Sequence, residues 1–286
     1  MTATPLPVAE SAPSIVVTRQ RGRGRLLVGT ALLAVIAAAA LLAPWLAPYD
    51  PLAIDLAHHL EPPSAAHPLG TDRLGRDVLA RLLWGARLSL GVGAAAVAGA
   101  LTIGVALGTL AGYGGRLLDE LLMRVTDVLL AFPGILLAIA LAAVLGPSAR
   151  NVVIALSVMS WPAYARLTRA EVRAAAARES THAALALGAS PLRVVLRHLL
   201  PSARPALLVQ ATFGVAGAII AESSLSFLGL GPPPPTPSWG AMLAEGRSFL
   251  LVAPHLVIAP AIALGVTVLA IQMVGDGLRA REVRQR

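Results

Sequence analysis

The sequence contains no cysteine and no lysine, so all 23 residues counted as Lys or Arg are arginine. Without cysteine, the chain cannot form disulfides, thiolate zinc sites or iron–sulfur clusters, and it has no cysteine nucleophile. Without lysine, it cannot form a Walker A loop, GxxxxGK[ST], in which the lysine contacts the nucleotide phosphates. Schiff-base chemistry on a lysine amine is excluded for the same reason. The chain therefore holds neither this type of ATP-hydrolysing site nor any cysteine-based centre.

Charged residues are also scarce. They make up 13% of the 286 residues, whereas hydrophobic residues make up 56%. A soluble domain of this size needs more charge to cover its surface, so the composition indicates a membrane protein. Aromatic residues are only 4%, and much of the apolar content is Ala, Leu, Val and Gly. Small residues let helix backbones approach closely in a bilayer, so we expect an all-α, polytopic bundle of about six transmembrane helices.

Six apolar runs are candidates for these helices, each of which needs roughly 20 apolar residues. The fourth run is short and contains Trp161 and Pro162. The first run is longer than the roughly 7–15 apolar residues of a signal peptide, so we expect it to be an uncleaved anchor. The runs are Leu26–Leu46, Leu88–Gly112, the stretch between Asp127 and Arg150, Asn151–Ala165, the stretch from Arg204 to about Glu222, and Leu251–Gly275.

The arginines indicate which side of the membrane each end of the chain occupies. Six spans place both termini on one side, and 17 of the 23 arginines fall in the segments on that side. Cytoplasmic segments of membrane proteins carry an excess of Arg and Lys. Both termini are therefore predicted to be cytoplasmic, in a bacterial cytoplasmic (inner) membrane. The net charge of +8 reflects this topology, and binding of nucleic acid is not expected.

The outer loop between the first two spans ends in a helical pattern. Leu74, Val78 and Leu82 share one helical face, while Asp77 and Arg81 are spaced for an i,i+4 ion pair. We expect an amphipathic helix that lies along the outer membrane interface. The predicted organisation is a cytoplasmic polar tail (1–25), a transmembrane anchor (26–48), the outer loop with its interfacial helix (49–87), a core of five transmembrane helices (88–279) and a cytoplasmic tail (280–286).

A long cytoplasmic segment, residues 166–204, interrupts the core between the fourth and fifth spans. Residues 170–187 are rich in alanine and favour a helix, and Gly188 suits the position just after a helix end. Ser190 and Pro191 then provide an N-cap and a first-turn proline for a second, short helix, which Pro201 is expected to end. The segment could be a solvated linker, or its small apolar face could dock into a groove of another protein.

Residues 183–190 read AALALGAS and residues 197–201 read RHLLP. With this spacing, the segment resembles the EAA loop of ABC importer permeases, the loop that docks on the ATPase subunit in that family. His182 stands where the family has glutamate, and His198 stands at the family's isoleucine position. The resemblance implies that the residues coupling to an ATPase are Glu179, His182, Ala183, Ala184, Gly188, Ala189, Leu200 and Pro201.

Three further stretches narrow the resemblance to one group of these permeases. Residues 67–79 (HPLGTDRLGRDVL) resemble the HxLGTDxxGRDVL signature of dipeptide, oligopeptide and nickel permeases. Residues 222–240 resemble the outer segment of the same group, and 275–279 (GDGLR) resemble its closing motif. The chain thus resembles the C-type subunit of that group along about three quarters of its length. This implies a type I ABC importer permease fold, with residues 88–279 as the permease core.

The resemblance also implies a function and a set of partners. The chain would be the transmembrane permease subunit of an ATP-driven importer that moves di- or oligopeptides, or nickel or another small solute, into the cytoplasm. Its partners would be a second homologous permease, two ABC ATPase subunits, an extracytoplasmic solute-binding protein and membrane lipid. The ATPase subunits would bind ATP and Mg²⁺, so this chain would need no cofactor and would catalyse no reaction.

An ion-gradient-driven secondary transporter is the alternative from another class. Such proteins usually carry intramembrane carboxylates for ion coupling, and the predicted spans one to five offer only Glu222. Glu222 is a candidate for the translocation path. The other interpretation is that it bonds a backbone amide of the following loop.

Several polar residues of the outer loop are candidates for function. Asp72, Arg76 and Asp77 could contact a docked binding protein, because the loop faces outward. Equally, Asp72 could cap a helix and Asp77 could simply pair with Arg81. The histidines and the glutamate of this Pro-rich loop share no helix face, so no metal site is predicted from His58, His59, His67 and Glu61.

Overall fold

The computed structural model describes residues 21–282, with side chains from residue 24 onward. The regular elements of this range are helices, apart from one isolated β-bridge between Thr71 and Asp77, which confirms the all-α prediction. Residues 1–20 and 283–286, most of the two predicted tails, lie outside the described residues. The α-helices are α1 (Arg21–Leu41), α2 (Ala43–Leu46), α3 (Val78–Tyr113), α4 (Arg116–Ala131), α5 (Gly134–Leu145), α6 (Ala149–Ala176), α7 (Glu179–Ala186), α8 (Pro191–Val194), α9 (Leu200–Phe227), α10 (Trp239–Gly246) and α11 (His255–Glu282).

Four helical segments in this range are long and apolar enough to cross a membrane: α1, α3, the run from α8 through α9, and α11. A fifth span is possible if α4 and α5 count as one, but these helices meet at an angle of 90°. The bend follows from Pro133, because the residue before a proline, Phe132, is pushed into an extended conformation. The predicted third span is therefore broken. The predicted fourth span lies within the longer α6, which is not among these four segments.

The predicted interfacial helix of the outer loop is wrong as a separate element. Its residues from Val78 to Arg87 are the first turns of α3, which continues without a break to Tyr113. No glycine pair or proline separates the two parts, so nothing stops the helix. Val78 and Ala86 pack in a core with Trp239 and Met242 of α10. The apolar face of this segment therefore covers the protein interior and does not lie on the membrane surface.

The centre of the bundle is the close packing of α3 on α6. Gly104, Gly108 and Gly112 recur every four residues and lie on one face of α3. A Cβ atom on Gly108 would lie 2.5 Å from the Ala165 carbonyl oxygen, and one on Gly112 would lie 2.8 Å from the Val172 side chain. The two backbones can approach this closely only because the row lacks side chains, as expected for helices packed in a bilayer.

The segment over residues 166–204 is built differently from the prediction at two points. The expected single helix over 170–187 is divided, because α6 ends at Ala176 and α7 begins at Glu179. Pro201 was expected to end the second helix, but it lies in the first turn of α9. A π-helical turn over Val195–Leu199 precedes it, in which the Leu200 amide bonds the Val195 carbonyl. This wider turn lets the chain continue past a proline that lacks an N–H group.

Candidate functional site

The coupling segment, residues 177–201, folds back on α6 through a tight turn at Gly188. Gly188 has φ +82°, which favours glycine, and follows the helix end as predicted. The Gly188 amide donates to the Leu185 carbonyl at 2.9 Å, and the Ala189 amide donates to the Ala184 carbonyl at 3.0 Å. These bonds satisfy carbonyl groups that the end of α7 leaves free. The turn therefore has a defined shape without any partner protein.

Ser190 starts the second half of the segment. Its side chain accepts a bond from the Arg193 amide, so it acts as the N-cap of α8, and Pro191 occupies the first turn. Both features match the sequence prediction, and both are local signals.

A small core anchors the coupling segment to α6. Val172 and Ala175 of α6 are buried together with Val194 and Leu199. The Thr181 hydroxyl, also buried, donates to the Ala175 carbonyl at 2.8 Å and so ties α7 to the end of α6. A displacement of α7 therefore acts on the C-terminal end of α6 as well.

One face of the coupling segment exposes apolar side chains. Leu187 is 88% exposed and Leu192 is 68% exposed, and the turn between them does not shield either side chain. Exposed apolar patches outside a membrane mark surfaces that bind partners. Of the residues that the EAA resemblance implies, four are exposed (Glu179, His182, Ala183 and Gly188) and four are half-buried (Ala184, Ala189, Leu200 and Pro201).

A cluster of charges joins α4 to α6 beside this core, and the sequence analysis missed it. The Asp119 carboxylate accepts bonds from Arg169 and Arg173 of α6. Asp127 pairs in the same way with Arg166, at a more exposed position. The four-residue spacing of Arg169 and Arg173 indicates that both side chains project from one face of α6. It does not identify their partner, which lies 50 residues earlier in the chain.

The predicted binding-protein contacts, in the loop before α3, are buried within the chain. Asp72, Arg76 and Asp77 are each no more than 5% exposed. Arg76 donates to Asp72 at 2.7 Å and to Glu245 of α10 at 2.9 Å, and Arg81 donates to the same two carboxylates. This outer ion cluster fixes the loop before α3 to α10. In this conformation its members face each other and do not form a free surface.

The alternative roles considered for the two aspartates are only partly correct. Asp77, not Asp72, caps a helix: its carboxylate accepts from the Ala80 amide at 2.7 Å at the start of α3. The predicted Asp77–Arg81 pair is wrong, because Arg81 turns to Asp72 and Glu245 while Asp77 bonds His67 at 2.9 Å. Helix capping requires the Asp77 carboxylate to point at the helix N-terminus, away from a partner one turn later.

Glu222 is completely buried between α3 and α9. Its carboxylate accepts hydrogen bonds from the Ser226 hydroxyl at 2.7 Å, from the Ser89 hydroxyl of α3 at 2.9 Å and from the Ser223 hydroxyl at 3.4 Å. The partners are thus serine hydroxyls, and not the loop amide considered from the sequence. A buried carboxylate needs such donors to offset its lost hydration. The arrangement ties α9 to α3.

Two histidines of the outer loop, His58 and His67, each bond an aspartate, whereas His59 Nδ1 lies 3.0 Å from the Leu56 carbonyl oxygen. His58 Nδ1 lies 2.8 Å from Asp55, and this hydrogen bond raises the pKa of His58 and lowers the pKa of Asp55. His67 pairs separately with Asp77. Within residues 21–282, no three side chains of the His, Asp or Glu types come together in a way that could hold a metal ion.

Comparison with known proteins places these features in a family. Residues 104–283 match the family model "binding-protein-dependent transport system inner membrane component". Residues 25–63 match the "N-terminal TM domain of oligopeptide transport permease C". The chain is 46% identical over 222 residues to the dipeptide transport system permease protein DppC of Alkalihalophilus pseudofirmus, covering 78% of this chain and 73% of that one.

Two further similarities agree with this result. The chain is 46% identical over 219 residues to the glutathione transport system permease protein GsiD of Pectobacterium atrosepticum, covering 77% of this chain and 73% of that one. In fold, it matches the inward-facing MetNI methionine ABC transporter with a TM-score of 0.57 at 20% identity, over 71% of this chain and 95% of that one. The chain therefore belongs to the family of inner membrane components of binding-protein-dependent transport systems, as the permease subunit of an ABC importer.

Proposed function

We propose that this permease imports short peptides that a solute-binding protein delivers from outside the membrane. The relatives' names support this substrate class, since they specify a dipeptide in one case and glutathione in another. A second, homologous permease subunit would complete the pore, and two ATPase subunits would bind from the cytoplasm. Both termini would be cytoplasmic, in agreement with the arginine distribution.

The observation that carries this proposal is the coupling segment. It is anchored to α6 by a buried core on one side and exposes leucines on the other. A segment that is rigid and apolar outside the spanning helices fits the groove of a partner protein. The absence of lysine from the whole chain excludes a Walker A site here, so the subunits that bind ATP and Mg²⁺ would be separate. This chain would itself catalyse no reaction.

ATP-driven closure of the two ATPase subunits would act on the permease through this segment. Because α7 is bonded to the end of α6, its displacement would move α6 as a rigid body. The α3–α6 glycine contact would pass that motion into the bundle. This rigid-body motion of α6 would expose the pore alternately to the two sides of the membrane.

The test uses the complex expressed from this gene with its neighbouring transporter genes. Leu187→Glu places a charge on the exposed side of the coupling segment and should abolish co-purification of the ATPase. Leu251→Glu is the matched control, because Leu251 is 97% exposed in the outer loop before α11. It should leave the ATPase bound. Retention of the ATPase by Leu187→Glu would refute the docking role of this segment.

Substrate class is tested in the same system. Proteoliposomes that contain the complex, with purified binding protein outside and ATP inside, should take up radiolabelled dialanine. Uptake should stop when ATP is omitted, and it should not change when proton and sodium gradients are collapsed. Uptake that depends on such a gradient would favour the secondary transporter that the sequence left open.

A further inference from the structure

Helix α4 is attached to α6 with almost no hydrophobic burial. Of its 16 residues, only Asp119 and Thr126 are buried, and both are polar. The Thr126 hydroxyl bonds within α4, to the Met123 carbonyl at 2.7 Å. Most of the leucines of α4 are exposed, with Leu117 at 81%, whereas Leu129 packs partly buried against the central core. Asp119 is the buried side chain of α4 that bonds α6.

Asp119 receives two arginines from α6. Arg169 donates through both Nε and Nη2, the latter at 2.8 Å, and Arg173 donates through Nη2 at 2.6 Å. Charge-assisted bonds are roughly twice as strong as neutral ones. The Asp119 side chain is only 10% exposed, so solvent screens these bonds incompletely. The second carboxylate, Asp127, makes a single pair in which both partners are about half exposed.

The turn of α6 that reaches Asp119 also holds the coupling segment. Val172, which precedes Arg173, packs in the small core with Val194 of α8 and Leu199. Three residues after Val172, the Ala175 carbonyl accepts the hydroxyl of Thr181. Residues 169–176 of α6 thus contact α4 on one side and the coupling segment on the other. A movement of α7 reaches Asp119 through less than two helical turns.

We infer that Asp119 is a positioning residue that transmits movement of the coupling segment to α4 and, through the bend at Pro133, to α5. The inference rests on the proposed function, in which ATPase closure displaces α7. When the end of α6 moves, the two arginines carry the Asp119 carboxylate with them, and α4 follows. The half-exposed Asp127–Arg166 pair is a second, weaker link between α4 and α6, so the buried Asp119 carries most of this coupling. The broken span α4–α5 is then a moving part of the transport cycle.

The first test measures uptake of dialanine per ATP hydrolysed, in the reconstituted complex with its binding protein. Asp119→Asn keeps the shape of the side chain but removes its charge, and it should lower this ratio about tenfold while the ATPase stays bound. Asp127→Asn is the matched control on the same helix and should change the ratio less than twofold. Asp119→Glu should restore at least half of it. A ratio within twofold of the unsubstituted complex for Asp119→Asn would overturn the inference.

The second test needs no substitution at Asp119 and therefore does not depend on the stability of that variant. The chain has no cysteine, so Leu117→Cys on α4 and Ser180→Cys on α7 introduce two unique sites for spin labels. The distance between the two spin labels, measured by double electron–electron resonance, should be the same in the nucleotide-free and the ATP-trapped complex. A change larger than the width of the distribution would show that α4 does not follow α7, and would overturn the inference. Failure of the unlabelled complex to bind the ATPase would instead overturn the proposed function, and the inference with it.

Discussion

Gly188 allows the docking role of the coupling segment to be tested by backbone strain alone. Its φ of +82° lies in the left-handed region, and a Cβ added there would meet no atom within 4 Å. Gly188→Ala therefore introduces no clash and changes only the conformational preference of the turn. Gly146, at the end of α5, is a matched control because it has φ +86° and equally open surroundings.

The expected loss of ATPase affinity follows from the backbone conformation at Gly188. A non-glycine residue in the left-handed region costs roughly 1–2 kcal/mol. In the free permease the exposed turn can relieve this strain by unwinding the end of α7, but docking requires the original shape. Only the fraction of molecules with that shape binds, so the affinity for the ATPase should fall by a factor of roughly 5–30. Gly188→Asn should lose less, since asparagine tolerates this region better.

The assay is a titration of detergent-solubilised permease complex, stripped of its ATPase, with the purified ATPase subunits. Gly146→Ala places a side chain at φ +86° and ψ 162°, a conformation essentially restricted to glycine. Because this site is remote from docking, the substitution should lower the thermal stability and leave the ATPase affinity unchanged. Equal loss of affinity in the Gly146 and Gly188 variants would show that general destabilisation is the cause. An affinity for Gly188→Ala within twofold of the unsubstituted chain would refute the reasoning, since the turn would then not be part of the docked surface.

Three further predictions concern the outer half of the molecule. Arg81→Leu leaves the buried Asp72 and the partly buried Glu245 with Arg76 as their remaining arginine. It should cost roughly 3–5 kcal/mol, visible as a fall of several degrees in the thermal midpoint. Arg116→Leu, in an ion pair where the arginine is 91% exposed, should cost less than about 1 kcal/mol. Glu222→Gln should retain uptake if the carboxylate only joins helices, whereas Glu222→Ala unpairs buried hydroxyls and should lower stability by roughly 1–3 kcal/mol. Because the pKa of His58 is raised, its pair with Asp55 stabilises the loop below the ordinary histidine pKa and stops doing so as pH rises through the raised value. Asp55→Asn should return the NMR titration of His58 to the ordinary value, and an unchanged titration would contradict the assignment.

The features that sequence predicted well are those set by neighbouring residues. The turn at Gly188 and the cap formed by Ser190 and Pro191 depend on conformational preferences of single residues, and the structure has both. The apolar runs were also visible, because a span depends only on length and composition. The break at Pro133 was visible in principle, since a proline restricts the residue before it. The apolar run on both sides of Pro133 instead led to the prediction of one continuous span.

The charge clusters could not be predicted, because each joins residues far apart in the chain. Arg81 is 164 residues from Glu245, and an aspartate four residues away offered a simpler partner that the structure does not use. The Asp77 carboxylate caps the N-terminus of α3 and therefore does not pair with Arg81. Local spacing gives the pairs that are possible on an isolated helix, whereas tertiary packing decides which of them form. The same limit explains why the burial of Asp72 and Arg76 was missed.

The two charge clusters also differ in a way that matters for transport. In the outer cluster, Arg76 and Arg81 are at most 4% exposed, so breaking it would leave charges in a poorly hydrated interior. In the cluster between α4 and α6, Arg169 and Arg173 are 30% and 47% exposed, whereas the Asp119 side chain that joins them is only 10% exposed. This cluster can change position as a unit, because water already reaches its arginines and no bond to Asp119 has to break. The outer loop, α3 and α10 should therefore stay together throughout the cycle. Movement of α4 together with the C-terminal part of α6 is the less costly rearrangement.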